Sequence, residues 1–145
     1  KNRRYMHLDV LFTMVDRDAF LITPALASGQ FATYELTPGR DGSILASQKT
    51  ESVRRILEEA LGLDRVRFIS VGGGDVIYAP REHWNMGSNV LTIAPGKVIA
   101  YDRNDVTNEQ LDKNGIKVLT FSGCELSRGR GGPRCMSMPV HREKI

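Results

Sequence analysis

Val90-Leu91-Thr92-Ile93-Ala94-Pro95-Gly96-Lys97-Val98-Ile99-Ala100-Tyr101, followed by Lys117-Val118-Leu119-Thr120-Phe121, decides the fold. The runs Val90 to Ala94 and Val98 to Tyr101, broken by Pro95-Gly96-Lys97, predict a β-hairpin. Thr107 with Gln110 reads as a capping box for a short helix around Leu111, and Asn114-Gly115 as its end. Lys117 to Phe121 is then a third strand. Strand, strand, helix, strand is an α/β pattern.

Reading outward, the same order appears once more upstream. Met6 to Met14 predicts a strand, Asp16-Arg17-Asp18 a tight turn, and Ala19 to Leu26 a second strand returning as a hairpin. Residues 28–48 are weakly patterned, with turn signals at Gly29, Pro38-Gly39 and Asp41-Gly42 and a short extended piece at Tyr34-Glu35-Leu36. A helix follows, capped by Thr50 or Ser52, with Glu51 in its first turn. Val53, Ile56, Leu57, Ala60 and Leu61 form its apolar stripe, and Gly62 ends it. Arg54, Arg55, Glu58 and Glu59 read as a solvated face. Val66 to Val71 is a buried strand. Two units thus span residues 6–71 and 90–121, offset by about eighty residues. Repeated units of this size stack around an axis, and two cannot close a ring. The chain also opens Lys1-Asn2-Arg3-Arg4 without Met. Both features predict a piece of a longer polypeptide.

The chain has 145 residues, 41% hydrophobic and 26% charged, which suits one domain with a real core and disfavours disorder. A net charge of +3 is too weak by itself to argue for a nucleic-acid partner. Cys124 and Cys135 make no disulfide framework, and His7, His83 and His141 are too scattered for a zinc pattern. No metal and no cofactor are expected. With no signal peptide and no long apolar run, no membrane partner is expected and a reducing, cytoplasmic location is the default reading. Gly72-Gly73-Gly74-Asp75 is no phosphate loop, because no Lys-Ser/Thr follows and GxGxxG spacing is absent. It reads as a glycine turn that brings backbone close to a site. Glu82 to Asn89 is a polar loop, or a short helix and loop.

Chemistry concentrates in Gly129-Arg130-Gly131-Gly132-Pro133-Arg134-Cys135. Glycines permit a sharp turn, proline stiffens it, and the arginines favour the thiolate form of the cysteine. Met136 to Val140 reads as a short apolar strand behind it. Two plainer readings stand beside this one: a buried hydrophobic cysteine, or an RGG-like segment that binds nucleic acid. No aromatic interleaves with the arginines between Ser122 and Ile145 to stack bases. His7 and Asp9, two apart in a predicted strand, point to one side. That side is either a site or a solvent face.

Several stretches together resemble arginine deiminase, specifically its carboxyl-terminal portion. They are Met6-His7-Leu8-Asp9-Val10-Leu11-Phe12-Thr13, Gly72-Gly73-Gly74-Asp75, Trp84-Asn85-Met86-Gly87-Ser88-Asn89, Ile93-Ala94-Pro95-Gly96, Tyr101-Asp102-Arg103-Asn104 and Gly129 through Pro139. The resemblance implies a five-bladed α/β propeller of ββαβ units, of which this chain would hold about two as an incomplete ring, with the catalytic loop and strand at residues 129–140. It implies hydrolysis of L-arginine to L-citrulline and ammonia. Cys135 is then the nucleophile, His7 the general acid/base and Asp9 a carboxylate that grips the guanidinium. Arg130 and Gly129 are then loop residues at the substrate. The family site also uses a further Asp, a Glu paired with the histidine, and arginines for the substrate carboxylate, all from upstream segments. Met86 stands where an acidic residue is expected. The isolated segment is therefore expected to be inactive, and to associate with the remainder of its parent polypeptide or with copies of itself. Other guanidine-modifying hydrolases, and amidinotransferases of the same fold, are the neighbouring alternatives.

Overall fold

The computed structural model describes residues 5–29, 31–129, 131–141 and 143. The elements are β1 (Phe12–Met14), β2 (Ala19–Ile22), α1 (Pro24–Ala27), β3 (Thr33–Pro38), β4 (Ile44–Lys49), α2 (Val53–Leu61), β5 (Arg67–Ser70), α3 (Tyr78–Trp84), β6 (Leu91–Ala94), β7 (Lys97–Tyr101), α4 (Asp105–Lys113) and β8 (Lys117–Phe121). Two three-stranded sheets have the same order, β1-β2-β5 and β6-β7-β8. In each, the first pair is antiparallel and the second parallel, and a helix links the parallel strands. The architecture is mixed α/β. No helix among the described residues is long and apolar enough to cross a membrane.

β2 explains how the core is divided. All four of its residues are buried, so it is covered on both faces. Ala19 and Leu21 join Ile69, Val71, Val90, Val98, Ala100, Leu111 and Ile116 in a core shared by the two sheets. Phe20 and Ile22 face the other way, toward Val53 and Leu57 of α2. The alternation is the period-2 geometry of a strand read on both sides. α2 begins where Ser52 Oγ accepts the Arg55 N–H at 3.3 Å. It ends at Gly62, whose left-handed φ of 64° is met without strain by a residue that lacks Cβ. Its expected solvated face is only partly so. Arg54 stacks on the Phe68 ring at 4.4 Å and donates to the Val66 carbonyl, and Glu58 accepts the Val66 N–H at 3.1 Å.

Several expectations are corrected. Met6 to Met14 is not one strand: Leu8–Val10 is a 3₁₀ turn, closed by Leu11 N–H donating to Leu8 O at 2.9 Å, and β1 starts only at Phe12. His7 and Asp9 therefore do not share a strand face. β2 stops at Ile22 because Pro24 opens α1 at its first turn, where a missing N–H costs nothing. Residues 33–49 form a full hairpin, joined by Glu35–Lys49 at 2.9 Å. One of its faces carries Tyr34, Leu36 and Ile44, all exposed. Thr107 is no cap: it lies inside α4, buried. The first N–H groups of α4 go instead to Glu82 of α3, from Val106 at 3.0 Å and Thr107 at 2.8 Å. Gly72 to Gly74 turn with φ of 57°, 64° and 75°. The close approach is to α3, because a Cβ on Gly72 would overlap the main chain of Tyr78 and Ala79. Met136 to Val140 is not a strand. Its Met136 and Ser137 amides turn back to Gly132 O and Arg134 O.

Arg67 at the β5 start grips Asp18 through two bonds of 2.8 and 2.7 Å, and this holds the Asp18 carboxyl below its usual value. A lowered folded-state value means that the stabilisation is present at neutral pH and lost as pH falls below about 4. Asp18 is 39% exposed and Arg67 33%, so Asp18→Asn should cost at most about 1 kcal/mol at pH 7. The cost should shrink toward zero as pH drops from about 4 to about 2, read by denaturant melts across that range.

Candidate active site

The amino-terminal segment and the loop after α3 are sewn together. Thr13 Oγ1 donates to Ser88 O at 2.7 Å, Ser88 Oγ to Val10 O, and Thr92 Oγ1 to Met14 O at 2.7 Å. This seam fixes the 3₁₀ turn carrying Asp9. α3 ends in a Schellman arrangement: Met86 N–H donates to His83 O at 3.1 Å and Gly87 N–H to Glu82 O at 2.7 Å. The left-handed position, usually glycine, is Met86 with φ 63°. Such a residue costs about 1–2 kcal/mol. Gly87 is needed one residue later, where a Cβ would stand 2.9 Å from Glu82 O.

The carboxyl-terminal loop docks on this platform. Cys135 N–H donates to Asn89 Oδ1 at 3.1 Å. Tyr101, 1% exposed, donates its hydroxyl to Gly131 O at 2.9 Å. Burial pushes the Tyr101 phenol up, and the Cys135 sulfur adds to the shift, so the hydroxyl stays a donor throughout the neutral range.

The residues singled out in the sequence come together as follows. Cys135 Sγ lies 3.6 Å from Asp9 Oδ2. His7, Asp9, Gly129 and Cys135 line one open cavity of about 540 Å³, with Met6, Met86 and Met136 among its apolar walls. Arg134 Nε stands 3.9 Å from Asp9 Oδ2, and so places its charge on the carboxylate that faces the sulfur. Arg130 lies outside the described residues. Asp9 Oδ1 is buried and has no hydrogen-bond partner among the described residues. An unpaired buried carboxylate oxygen is costly, and a cationic donor entering the cavity would satisfy it. Among those residues no group of three or more His, Cys, Asp or Glu could hold a metal ion. Cys124 is exposed, with Ser122 Oγ 3.7 Å from its sulfur.

Sequence reasoning missed Asn89, Tyr101 and Glu82 as supports of this site. The only signal for Asn89 was its place in the quoted Trp84-to-Asn89 stretch. Tyr101 reads as a strand residue, and Glu82 as the start of a polar loop or short helix.

The fold and cleft define an α/β chain with a cysteine facing a carboxylate across an open pocket. The chain belongs to the arginine deiminase family, whose family profile matches residues 1–142. It is 51% identical over 146 aligned residues to an arginine deiminase of Latilactobacillus sakei, covering 99% of this chain and 35% of that one. It is 50% identical over 144 to that of Streptococcus sanguinis, again covering 99% and 35%. The chain therefore spans about a third of the length of these relatives. Two solved structures share the fold, each with a TM-score of 0.61. A cyanobacterial arginine dihydrolase is 17% identical, covering 100% of this chain and 18% of that one. An amidinotransferase from Microseira wollei is 14% identical, covering 97% and 34%.

Gly132→Ala should test the docking of the loop. An added Cβ would stand 2.7 Å from Asn89 Cβ, so the loop must shift. Thermal melts should show a loss of about 1–3 kcal/mol.

Proposed function

We propose that this chain supplies part of the active site of an enzyme that hydrolyses L-arginine to L-citrulline and ammonia. The observation that carries the reading is Cys135 Sγ, 3.6 Å from Asp9 Oδ2, in a cavity also lined by His7. The buried, unpaired Asp9 Oδ1 supports a guanidinium ligand. The two matching sheets are read as consecutive ββαβ blades of a five-bladed propeller. The segment is read as the carboxyl-terminal part of the catalytic domain.

The chemistry runs in two halves. A guanidinium carbon is a poor electrophile, so a thiolate is suited to attack it. Asp9 holds the guanidinium by charge-assisted bonds and orients its carbon over the sulfur. The arriving cation neutralises the carboxylate facing Cys135, which favours the thiolate. Attack forms the S–C bond. His7 donates a proton to one terminal nitrogen, the C–N bond breaks, and ammonia leaves. The product is an S-alkylthiouronium on Cys135. Water then attacks its carbon with His7 accepting a proton, the C–S bond breaks, and citrulline and the thiolate are released. Gly129 and Arg130 belong to the loop over the substrate.

In the full-length enzyme, Cys135→Ala should abolish citrulline formation and Asp9→Asn should lower kcat/KM at least about 100-fold. 2-Chloroacetamidine should alkylate Cys135 and spare Cys124, read by peptide mass spectrometry. Unchanged turnover in Cys135→Ala, or labelling confined to Cys124, would overturn the reading.

The upstream Asp, Glu and arginines of the family site are not supplied by these residues. A citrulline assay on the 145-residue segment alone should give no turnover above background. Turnover comparable to the full-length enzyme would show that the site is complete without them.

A further inference from the structure

We infer that Asn89 is a positioning residue for the proposed reaction: its carboxamide sets the separation of Cys135 and Asp9. The inference rests on the reading of those two residues given above. Asn89 is fully buried. Its Oδ1 accepts the Cys135 N–H at 3.1 Å, and its Nδ2 donates to the Asp9 carbonyl at 3.3 Å. One planar group thus spans the main chains of two residues 126 positions apart in sequence.

The chemistry of both ends selects a carboxamide. One neighbour is an N–H and demands an acceptor. The other is a carbonyl and demands a donor. A carboxylate fails at the second end, and a hydroxyl is too short to reach both. Asn89 is itself anchored, with its N–H on Met86 O at 3.0 Å in the strained turn after α3. Gly132 presses on its side chain so closely that a Cβ would overlap it. The loop therefore has one seat, and that seat also carries the Asp9 turn. The Cys135 N–H is committed to Asn89, while its sulfur faces Asp9 at the cavity. Displacing Asn89 changes the sulfur-to-carboxylate distance while leaving both groups chemically intact.

The test uses the full-length enzyme. Asn89→Ala should lower kcat roughly 10- to 100-fold with KM for arginine changed less than about threefold, because reactants misplaced by about 1 Å lose rate rather than binding. Asn89→Asp is nearly isosteric and keeps the acceptor for the Cys135 N–H. Its ionised form opposes the Asp9 carbonyl, whereas its protonated form restores a donor. The ratio of Asn89→Asp to unaltered kcat should therefore rise as pH is lowered. The titratable or charged groups around this seat are Asp9, Arg134, His7 and Cys135. In the unaltered protein, the Cys135 amide should exchange with solvent more slowly than the neighbouring Arg134 amide.

Unaltered kcat in Asn89→Ala, a pH-independent ratio for Asn89→Asp, or rapid exchange of the Cys135 amide would each overturn the inference. If the unaltered enzyme itself neither hydrolyses arginine nor labels at Cys135, the proposed function falls, and this role falls with it. If it does both while Asn89→Ala keeps its kcat, only the role of Asn89 falls.

Discussion

A buried carboxylate holds the two halves of this chain in register. Glu82 is fully buried, and its oxygens accept the Val106 N–H, the Thr107 N–H and, at 2.5 Å, the Thr107 hydroxyl. The Thr107 oxygen in turn accepts the Gly72 N–H at 2.8 Å. One side chain thus satisfies the open amides at the start of α4, favours the positive end of that helix, and ties it to the glycine turn after β5. Removing either partner of such a buried, charge-assisted network leaves a desolvated group unpaired, which is why these contacts stand or fall together. The Glu82 main chain also accepts the Gly87 N–H, so the same residue ends α3 and starts the turn that carries Asn89.

The consequence for the site is a short chain of dependence. Glu82 fixes α3 against α4. The end of α3 fixes Met86 in its left-handed conformation. That turn presents Asn89 inward, and Ser88 joins the seam to Val10 and Thr13. The Asp9 turn and the cysteine loop then dock against this one loop. The strain at Met86 sits where a cavity wall and a helix end coincide, and only a well-packed surround can hold a residue there. Tyr101 steadies the loop from the other side: its ring lies so close to Gly123 that no side chain fits at that position, and its hydroxyl holds Gly131.

Much of the scaffold could be read directly. The hairpin before Tyr101, the helix from Ser52 to Gly62 and the strand from Lys117 obey local rules, with apolar runs of the right period ended by turn residues. The failures share a cause. Thr107 and Gln110 carry the capping-box pattern, yet Asp105–Lys113 takes its cap from Glu82, twenty-odd residues upstream, and nothing local reveals such a partner. Leu8–Val10 looks like strand, but the Asp9 carbonyl is claimed by Asn89, eighty positions away, and by Thr13. The hairpin over residues 33–49 is faint because its large apolar residues, Tyr34, Leu36, Ile44 and Leu45, are all exposed and lie on both faces. The end of α3 was hidden because methionine occupies the position where glycine usually announces a helix terminus.

The site divides along the same line. The resemblance picked out Cys135, His7 and Asp9 together, and a thiol, an imidazole and a carboxylate suit attack on an amidine carbon. The expected route to their meeting was two side chains on one strand face, and the structure uses another. Asp9 reaches the sulfur from a 3₁₀ turn, and a third segment holds both. Sequence spacing describes geometry only within an element, whereas Cys135 and Asp9 meet through Asn89, which belongs to neither. That is also why the supports went unnoticed while the candidate residues did not. A thiol or a carboxylate stands out by its chemistry, but a bridging amide is recognised only by what lies at each of its ends.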